Sequence, residues 1–263
     1  MTEEQETQTT DEDSESLAEG TLLSHLIELR GRLLKISVAV VVVFAGLLPF
    51  STRIFTLVSE PLREVLPGGA MIATQVASPL LTPFKMTFFV ALFIGMPVVL
   101  YQVWAFVAPG LYKKEKSFAI PLLASSIILF YMGIAFAYFV VFPLMFNFFT
   151  AVAPEGVEVQ TDIAQFLDFI TTIIFAFGIA FEVPIATVLV VWTGLTTPEK
   201  LSKARPYVFL GAFIMGMFLT PPDIISQTLL AVPVYLLFEL GILMSKFFVI
   251  RDEEAEDEPS AAE

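Results

Sequence analysis

Long apolar runs separated by short polar segments fill the chain from about residue 33 to residue 249. Six runs have lengths that suit membrane-spanning helices, because ~20 residues cross a hydrocarbon core of ~30 Å. They cover residues 33–50, 84–107, 118–146, 165–192, 206–220 and 224–249. Ten-residue segments that alternate strictly between apolar and polar residues are absent, which argues against a transmembrane barrel. The pattern predicts an all-α integral membrane protein with six transmembrane helices.

The two C-terminal spans are predicted to be short. The fifth covers about 15 residues, which gives about 22 Å of helix at 1.5 Å per residue and falls short of the hydrocarbon core. Pro233 interrupts the sixth. We therefore expect these two helices to thin the membrane locally or to lie behind other helices. Residues 51–82, between the first two spans, are expected to form a folded cap with short helical pieces.

The basic residues give the chain an orientation. If both termini are cytoplasmic, eleven lysines and arginines lie on the cytoplasmic side and three lie outside. This bias follows the positive-inside rule and predicts that both termini lie in the cytoplasm. Residues 1–20 hold eight acids and no base, and residues 251–263 hold seven acids and one base. They are predicted to be disordered acidic tails on a membrane domain of residues 21–250.

Composition excludes several functional classes. The chain has no cysteine, which rules out disulfides, and its single histidine, His25, rules out a histidine-rich metal site. The net charge of −13 gives no support to nucleic-acid binding. Walker-type loops and a Gly-x-Ser-x-Gly elbow are absent, so neither nucleotide hydrolysis nor serine-hydrolase chemistry is indicated. We predict a protein that is not an enzyme and that holds no metal or cofactor.

A charged segment, residues 25–33, directly precedes the first span. Glu28 lies on its polar face, whereas Arg30 lies on the apolar side and must find a carboxylate, a phosphate or water. Topology brings Glu115, in the loop between spans two and three, to the same membrane face. Two carboxylates with Phe106 close by would suit two arginines of an extended peptide, through bidentate pairing and stacking. The alternative is that each carboxylate neutralises neighbouring basic residues at the head-group level.

Two further acids lie within or beside the spans. Glu182 lies near the middle of the fourth span, where an ionisable group usually faces a cavity or a partner. It could be protonated, bind a polar group of a partner helix, line a proton path, or make a structural hydrogen bond inside the bundle. Asp223 follows two prolines at an outer turn and is typical of a helix N-cap. Capping and a functional role are both compatible with its position.

Five pieces of the sequence resemble the TatC family, the polytopic core of the twin-arginine protein translocase. They occur in the family's order across the six spans, so the resemblance covers roughly residues 20–250. The pieces are residues 25–33, 78–85, 101–112 together with Glu115, 177–184 and 219–223.

The resemblance implies a cupped, glove-like bundle of six helices that recognises signal peptides bearing two adjacent arginines. Carried over by position, Glu28 and Glu115 would accept the arginine pair. Arg30, Pro61 and Phe106 would shape or support this recognition.

The resemblance also implies partners and an energy source. Glu182 would meet single-span proteins of the TatA and TatB class, and Asp223 would match the family's outer-turn aspartate. The family moves folded proteins across the membrane with the proton-motive force. We expect a homo-oligomer within a larger complex, in contact with membrane lipids. The competing hypothesis is a proton-coupled small-solute transporter with Glu182 as the carrier, although no internal repeat supports it.

Overall fold

A computed structural model describes residues 26–63, 71–107, 116–152, 154, 161–220 and 223–257. Within these ranges, only the backbone is described for residues 61–63, 107, 116–119 and 247–257. The predicted N-terminal tail, His25 and Glu115 lie outside the described residues.

Helices account for nearly all of the described chain. The helices are α1 (26–47), α2 (Ser51–Arg63), α3 (Ser78–Val107), α4 (Lys116–Phe136), α5 (Phe142–Val152), α6 (Ile163–Ala180), α7 (Val183–Trp192), α8 (Pro198–Lys203), α9 (Arg205–Leu219) and α10 (Ile224–Asp257). A 3₁₀ turn, Leu48–Phe50, joins α1 to α2, and a π-helical turn, Ala137–Val141, joins α4 to α5.

Five apolar helical stretches of the described chain are long enough to cross a membrane. They are Leu26–Glu60, Ser78–Phe106, Ile120–Val152, Ile163–Trp192 and Ile224–Lys246. A sixth apolar helix, α9, has 15 residues, or about 22 Å of helix. The all-α membrane architecture predicted from the apolar runs is therefore confirmed, and so is the shortness of the fifth helix.

The last helix differs from the prediction. It has 34 residues, and Pro233 lies inside it without ending it. Its apolar stretch, Ile224–Lys246, has 23 residues and reaches about 34 Å. The prediction that this helix is short is therefore wrong. Residues 251–257, which we predicted to begin a disordered tail, continue the helix because glutamate and alanine are good helix formers. Residues 258–263 lie outside the described chain.

The core lies where α4, α5 and α6 pack together. Phenylalanines fill most of it, and Phe142, Phe166 and Phe177 are almost completely buried. A Cβ on Gly133 would lie 2.5 Å from the carbonyl oxygen of Phe177, so only glycine allows α4 to approach α6 this closely. The last helix, α10, packs along α7 and α9 and contributes Leu230 to the core.

Asp162 fastens the connection between α2 and α3 to the start of α6. The strand Met71–Ile72 pairs in parallel with Thr161–Asp162. One oxygen of Asp162, Oδ1, accepts from the amides of Ala164 and Gln165 at 2.9 and 3.1 Å and so caps α6. The other, Oδ2, accepts from the amide and hydroxyl of Thr74 at 2.8 and 2.7 Å. We did not predict this contact, although an aspartate three residues before a glutamine is a capping signal.

We expect the Asp162 contact to weaken in acid. Hydrogen bonds from Thr74, first through its hydroxyl and then through its amide, lower the pKa of Asp162 from 3.8 to about 2. The ionised form is thus favoured in the folded protein, and the stabilisation is complete above pH 3.8 and lost as the pH falls towards 2. Asp162→Asn should lower the thermal midpoint at pH 7 and accelerate amide exchange in residues 71–77, with the difference closing near pH 2. Asp168→Asn, an exposed acid of the same helix, is the control, and an equal effect there would contradict the assignment.

Candidate functional site

Arg32 joins the start of α1 to the end of α3. Its Nη2 donates to the carbonyl oxygen of Ala105 at 2.8 Å, and its Nη1 donates to Oε1 of the buried Gln102 at 3.3 Å. We refer to this end of the bundle, at which α1 begins and α3 ends, as the terminal end. An arginine suits this junction because its planar guanidinium carries several donors in a fixed geometry.

Glu28 lies one helical turn before Arg32 and completes the junction. Its Oε1 accepts from Arg32 Nε at 3.0 Å and from Nη2 at 2.5 Å. The side chain of Glu28 is 40% exposed and that of Arg32 is 18% exposed. Among the described residues both bonds end on the same oxygen, so the outward-facing carboxylate is fixed in place and its Oε2 can accept from another cation.

The remaining residues of the predicted recognition site are distributed unevenly. Phe106 is half-buried and follows Ala105 directly, next to the Arg32 junction. Arg30 is exposed, and it forms no ion pair with any residue that the structure describes. Pro61 lies in α2, beyond the far end of α1. Glu115 lies outside the described residues.

Sequence reasoning predicted Glu28 but missed the two residues that hold its partner Arg32. A helical projection already places Arg32 four residues after Glu28 on one face, which is a signal for an ion pair. Nothing in the sequence connects Arg32 to Gln102 and Ala105, which lie 70 and 73 residues further along the chain.

Glu182 occupies a break between two helices. The helical path of the fourth span is interrupted at Phe181–Glu182, and α7 begins after it with Pro184 in its first turn. The Oγ of Ser126, on α4, donates to Glu182 Oε2. Glu182 Oε1 is buried and has no hydrogen-bond partner among the described residues. Glu182 therefore makes a structural hydrogen bond inside the bundle, but only one of its two carboxyl oxygens has a partner among the described residues.

An apolar cavity of about 700 Å³ lies beside this break. Side chains of α3, α6, α7, α9 and α10 line it, including Phe89, Phe175, Val183, Met215 and Val234. Glu182 does not line the cavity, because its carboxyl group is turned to Ser126.

Two other acids have structural partners. Asp223 Oδ1 accepts from the amide of Ser226 at 2.7 Å, which confirms that Asp223 caps α10. Glu239 of α10 forms an ion pair with Arg205 at the start of α9: Arg205 Nη2 donates to Oε2 at 2.8 Å, and Nε lies 2.6 Å from Oε1. Within the described part of the chain, no group of three or more histidine, aspartate or glutamate side chains is arranged to hold a metal ion.

These features define a polytopic helical membrane protein with a charged site at the terminal end of its bundle. The family model described as "Sec-independent protein translocase protein (TatC)" matches residues 24–233. The chain belongs to the TatC family.

Similar proteins support the same assignment. The Sec-independent protein translocase protein TatC of Azotobacter chroococcum mcd 1 is 58% identical over 241 residues, which are 91% of this chain and 94% of that protein. Its counterpart in Escherichia coli (strain K12) is 57% identical over 237 residues, 90% and 92% of the two chains. A crystal structure of the twin-arginine translocase receptor TatC matches with a TM-score of 0.76 and 35% identity, covering 85% of this chain and 98% of that one. The chain is thus an integral membrane component of a protein translocase, and the names of its relatives describe transport and not catalysis.

Proposed function

We propose that this protein is the core receptor and scaffold of a twin-arginine translocase, and that it binds twin-arginine signal peptides at its cytoplasmic face. The observation that carries the proposal is the Glu28 carboxylate, which Arg32 holds in place at the junction of α1 and α3 while leaving it partly exposed. A fixed carboxylate binds a guanidinium with less loss of entropy than a mobile one.

Each residue of the proposed site has a chemical role. One peptide arginine pairs with Glu28 through the oxygen that Arg32 leaves available, and the second pairs with Glu115, whose loop follows directly after α3. Phe106 offers a ring on which a guanidinium can stack. The exposed Arg30 carries a charge that can bind a lipid phosphate at the membrane surface.

Because Arg32 neutralises the charge of Glu28, the site selects its ligand by hydrogen-bond geometry. Because Glu28 already has an ion-pair partner, an added positive charge gains little unless it forms well-aligned hydrogen bonds. An arginine can donate from two neighbouring nitrogens of its planar guanidinium to the available Oε2, as Arg32 does to Oε1, whereas lysine offers a single point charge. The site should therefore distinguish an arginine pair from a lysine pair.

Photocrosslinking tests the proposal directly. A photoreactive residue at position 106 should crosslink to a twin-arginine signal peptide and much less to its twin-lysine variant. The same residue at position 139, in the exposed part of the π-helical turn, serves as the control. Equal crosslinking of the two peptides, or none from position 106, would refute the assignment.

The proposal extends to partners, orientation and energy. The chain lies in the inner membrane with both termini in the cytoplasm, forms homo-oligomers within a larger complex, and moves folded proteins with the proton-motive force. Glu182 meets single-span partners of the TatA and TatB class. Support comes from its buried Oε1, since buried polar atoms are rarely left without a hydrogen-bond partner and a group on a partner helix would supply the missing one.

Glu182→Ala should therefore lower the yield of single-span partners in a pull-down by about tenfold, while binding of the signal peptide stays close to wild type. Ser126→Ala is the matched variant, because it removes only the internal bond of the same carboxyl group. If Glu182 acts only inside the bundle, both substitutions will lower the thermal midpoint and leave the partner yield unchanged.

The solute-transporter hypothesis gains no support from the cavity. Its lining is apolar and Glu182 is not part of it, whereas a proton-coupled carrier for a polar solute would need its titrating group in the solute path.

A further inference from the structure

Pro97 leaves a backbone acceptor without its usual donor in the middle of α3. Proline has no amide hydrogen, so the carbonyl oxygen of Phe93, four residues earlier, cannot receive the regular helical hydrogen bond. Lipid cannot replace the missing donor, and an unsatisfied carbonyl within the hydrocarbon core is costly.

Tyr131 supplies the missing donor from the neighbouring helix. Its hydroxyl, on α4, donates to the carbonyl oxygen of Phe93 at 2.9 Å. Tyr131 lies in the apolar stretch Ile120–Val152 and is 39% exposed. Without this bond its hydroxyl would face lipid and would have no hydrogen-bond partner. The bond thus satisfies two groups that have no alternative in the bilayer, and it ties α4 to the point where α3 is free to bend.

The part of α3 beyond Pro97 carries the contacts of the terminal end. Gln102 and Ala105 accept from Arg32, and Phe106 follows them. Ala105 lies eight residues after Pro97, or about 12 Å along the helix, so a change of about 10° in the bend would move Ala105 by about 2 Å. A displacement of that size would break the 2.8 Å bond between Arg32 and Ala105.

We propose that Tyr131 is a positioning residue for the peptide site. Its hydrogen bond to the Phe93 carbonyl fixes the bend of α3 at Pro97, and the bend sets where α3 meets Arg32 and Glu28. The inference rests on the proposed binding of a twin-arginine peptide, because it assigns Tyr131 a part in that binding without contact to the ligand.

A double-mutant cycle tests the proposal in the full-length protein, reconstituted in nanodiscs. Tyr131→Phe removes the hydroxyl and keeps the ring, and should weaken binding of a fluorescent twin-arginine peptide about threefold to tenfold. Pro97→Ala returns an amide hydrogen to the helix, so the Phe93 carbonyl no longer needs the tyrosine. Adding Tyr131→Phe to Pro97→Ala should therefore cause almost no further loss.

The distance between two spin labels reports the bend of α3 at Pro97. The chain contains no cysteine, so Val103→Cys on the far part of α3 and Leu210→Cys on α9 can be labelled without removing native thiols. Tyr131→Phe should broaden or shift the distance distribution between the two labels, and it should have no such effect in the Pro97→Ala background. Tyr207→Phe removes a hydroxyl from an exposed tyrosine and is the control.

The outcomes separate this inference from the function on which it rests. Equal losses from Tyr131→Phe in both backgrounds, or an unchanged distance distribution, would overturn the role of Tyr131. If the wild-type protein fails to bind the twin-arginine peptide, the proposed function fails. The distance measurements still decide whether the tyrosine fixes the bend.

Discussion

Glu28→Lys is expected to weaken binding of a twin-arginine peptide by about 100-fold. The substitution removes a charge-assisted pair of hydrogen bonds, worth about 3 kcal/mol, and each 1.4 kcal/mol corresponds to a factor of ten. It also places a second cation beside Arg32. The two positive charges then repel the arginines of the peptide. Glu28→Gln keeps the size of the side chain and one acceptor, so about a tenfold loss is expected. Fluorescence anisotropy with a labelled peptide measures both.

A matched charge reversal distinguishes a site from a general field. Glu199 is an exposed acid on the short helix α8, and Glu199→Lys changes the net charge by the same amount. It should alter peptide binding less than twofold at 0.15 M salt, where exposed charges are largely screened beyond ~8 Å. Similar losses from the two reversals would mean that Glu28 acts only through overall charge.

Gly133→Ala is expected to destabilise the bundle by about 3 kcal/mol, a large effect for one added methyl group. The new Cβ would lie 2.5 Å from the carbonyl oxygen of Phe177 and 3.0 Å from the Cβ of Phe181. These are backbone and near-backbone atoms, so no rotation of a side chain relieves the clash and α4 must move away from α6. That movement would also stretch the bond between Ser126 and Glu182.

Gly46→Ala provides the control for this prediction. A Cβ at Gly46 meets nothing within 4 Å, and the residue lies in the helical part of α1. Alanine is favoured over glycine in a helix, so the thermal midpoint should stay unchanged or rise slightly. If Gly133→Ala has the thermal midpoint of the wild-type protein in nanodiscs, the contact between α4 and α6 accommodates an added methyl group and the prediction is wrong.

Membrane spans were predictable because hydropathy is a local property. A run of about 20 apolar residues has no favourable place except lipid or the interior of a bundle. The same local view misjudged Pro233, since a proline in a membrane helix can be accommodated by neighbouring groups and need not end it. It also ends the last helix too early, because a run of acidic residues suggests a disordered tail although it permits a helix.

The candidate site was predictable only in part. Glu28 could be identified because it lies in a charged segment beside an apolar run, and Asp223 because capping depends on the next three residues. Asp162 was missed despite its local capping signal, and its bonds to Thr74 join residues 88 positions apart. Tyr131 was missed because its acceptor is a backbone atom of another span.

The sequence by itself determined that this is a helical membrane protein, where its apolar segments lie, and which acids stand at exceptional positions. Each of these follows from interactions of a residue with lipid, water or its nearest neighbours along the chain. Only the tertiary structure decided what the exceptional residues contact: Arg32 the end of α3, Glu182 the hydroxyl of Ser126, and Tyr131 the carbonyl of Phe93. Such contacts depend on how whole helices pack and rotate against one another, and the periodicity of a single helix carries no information about the polar partner it will meet.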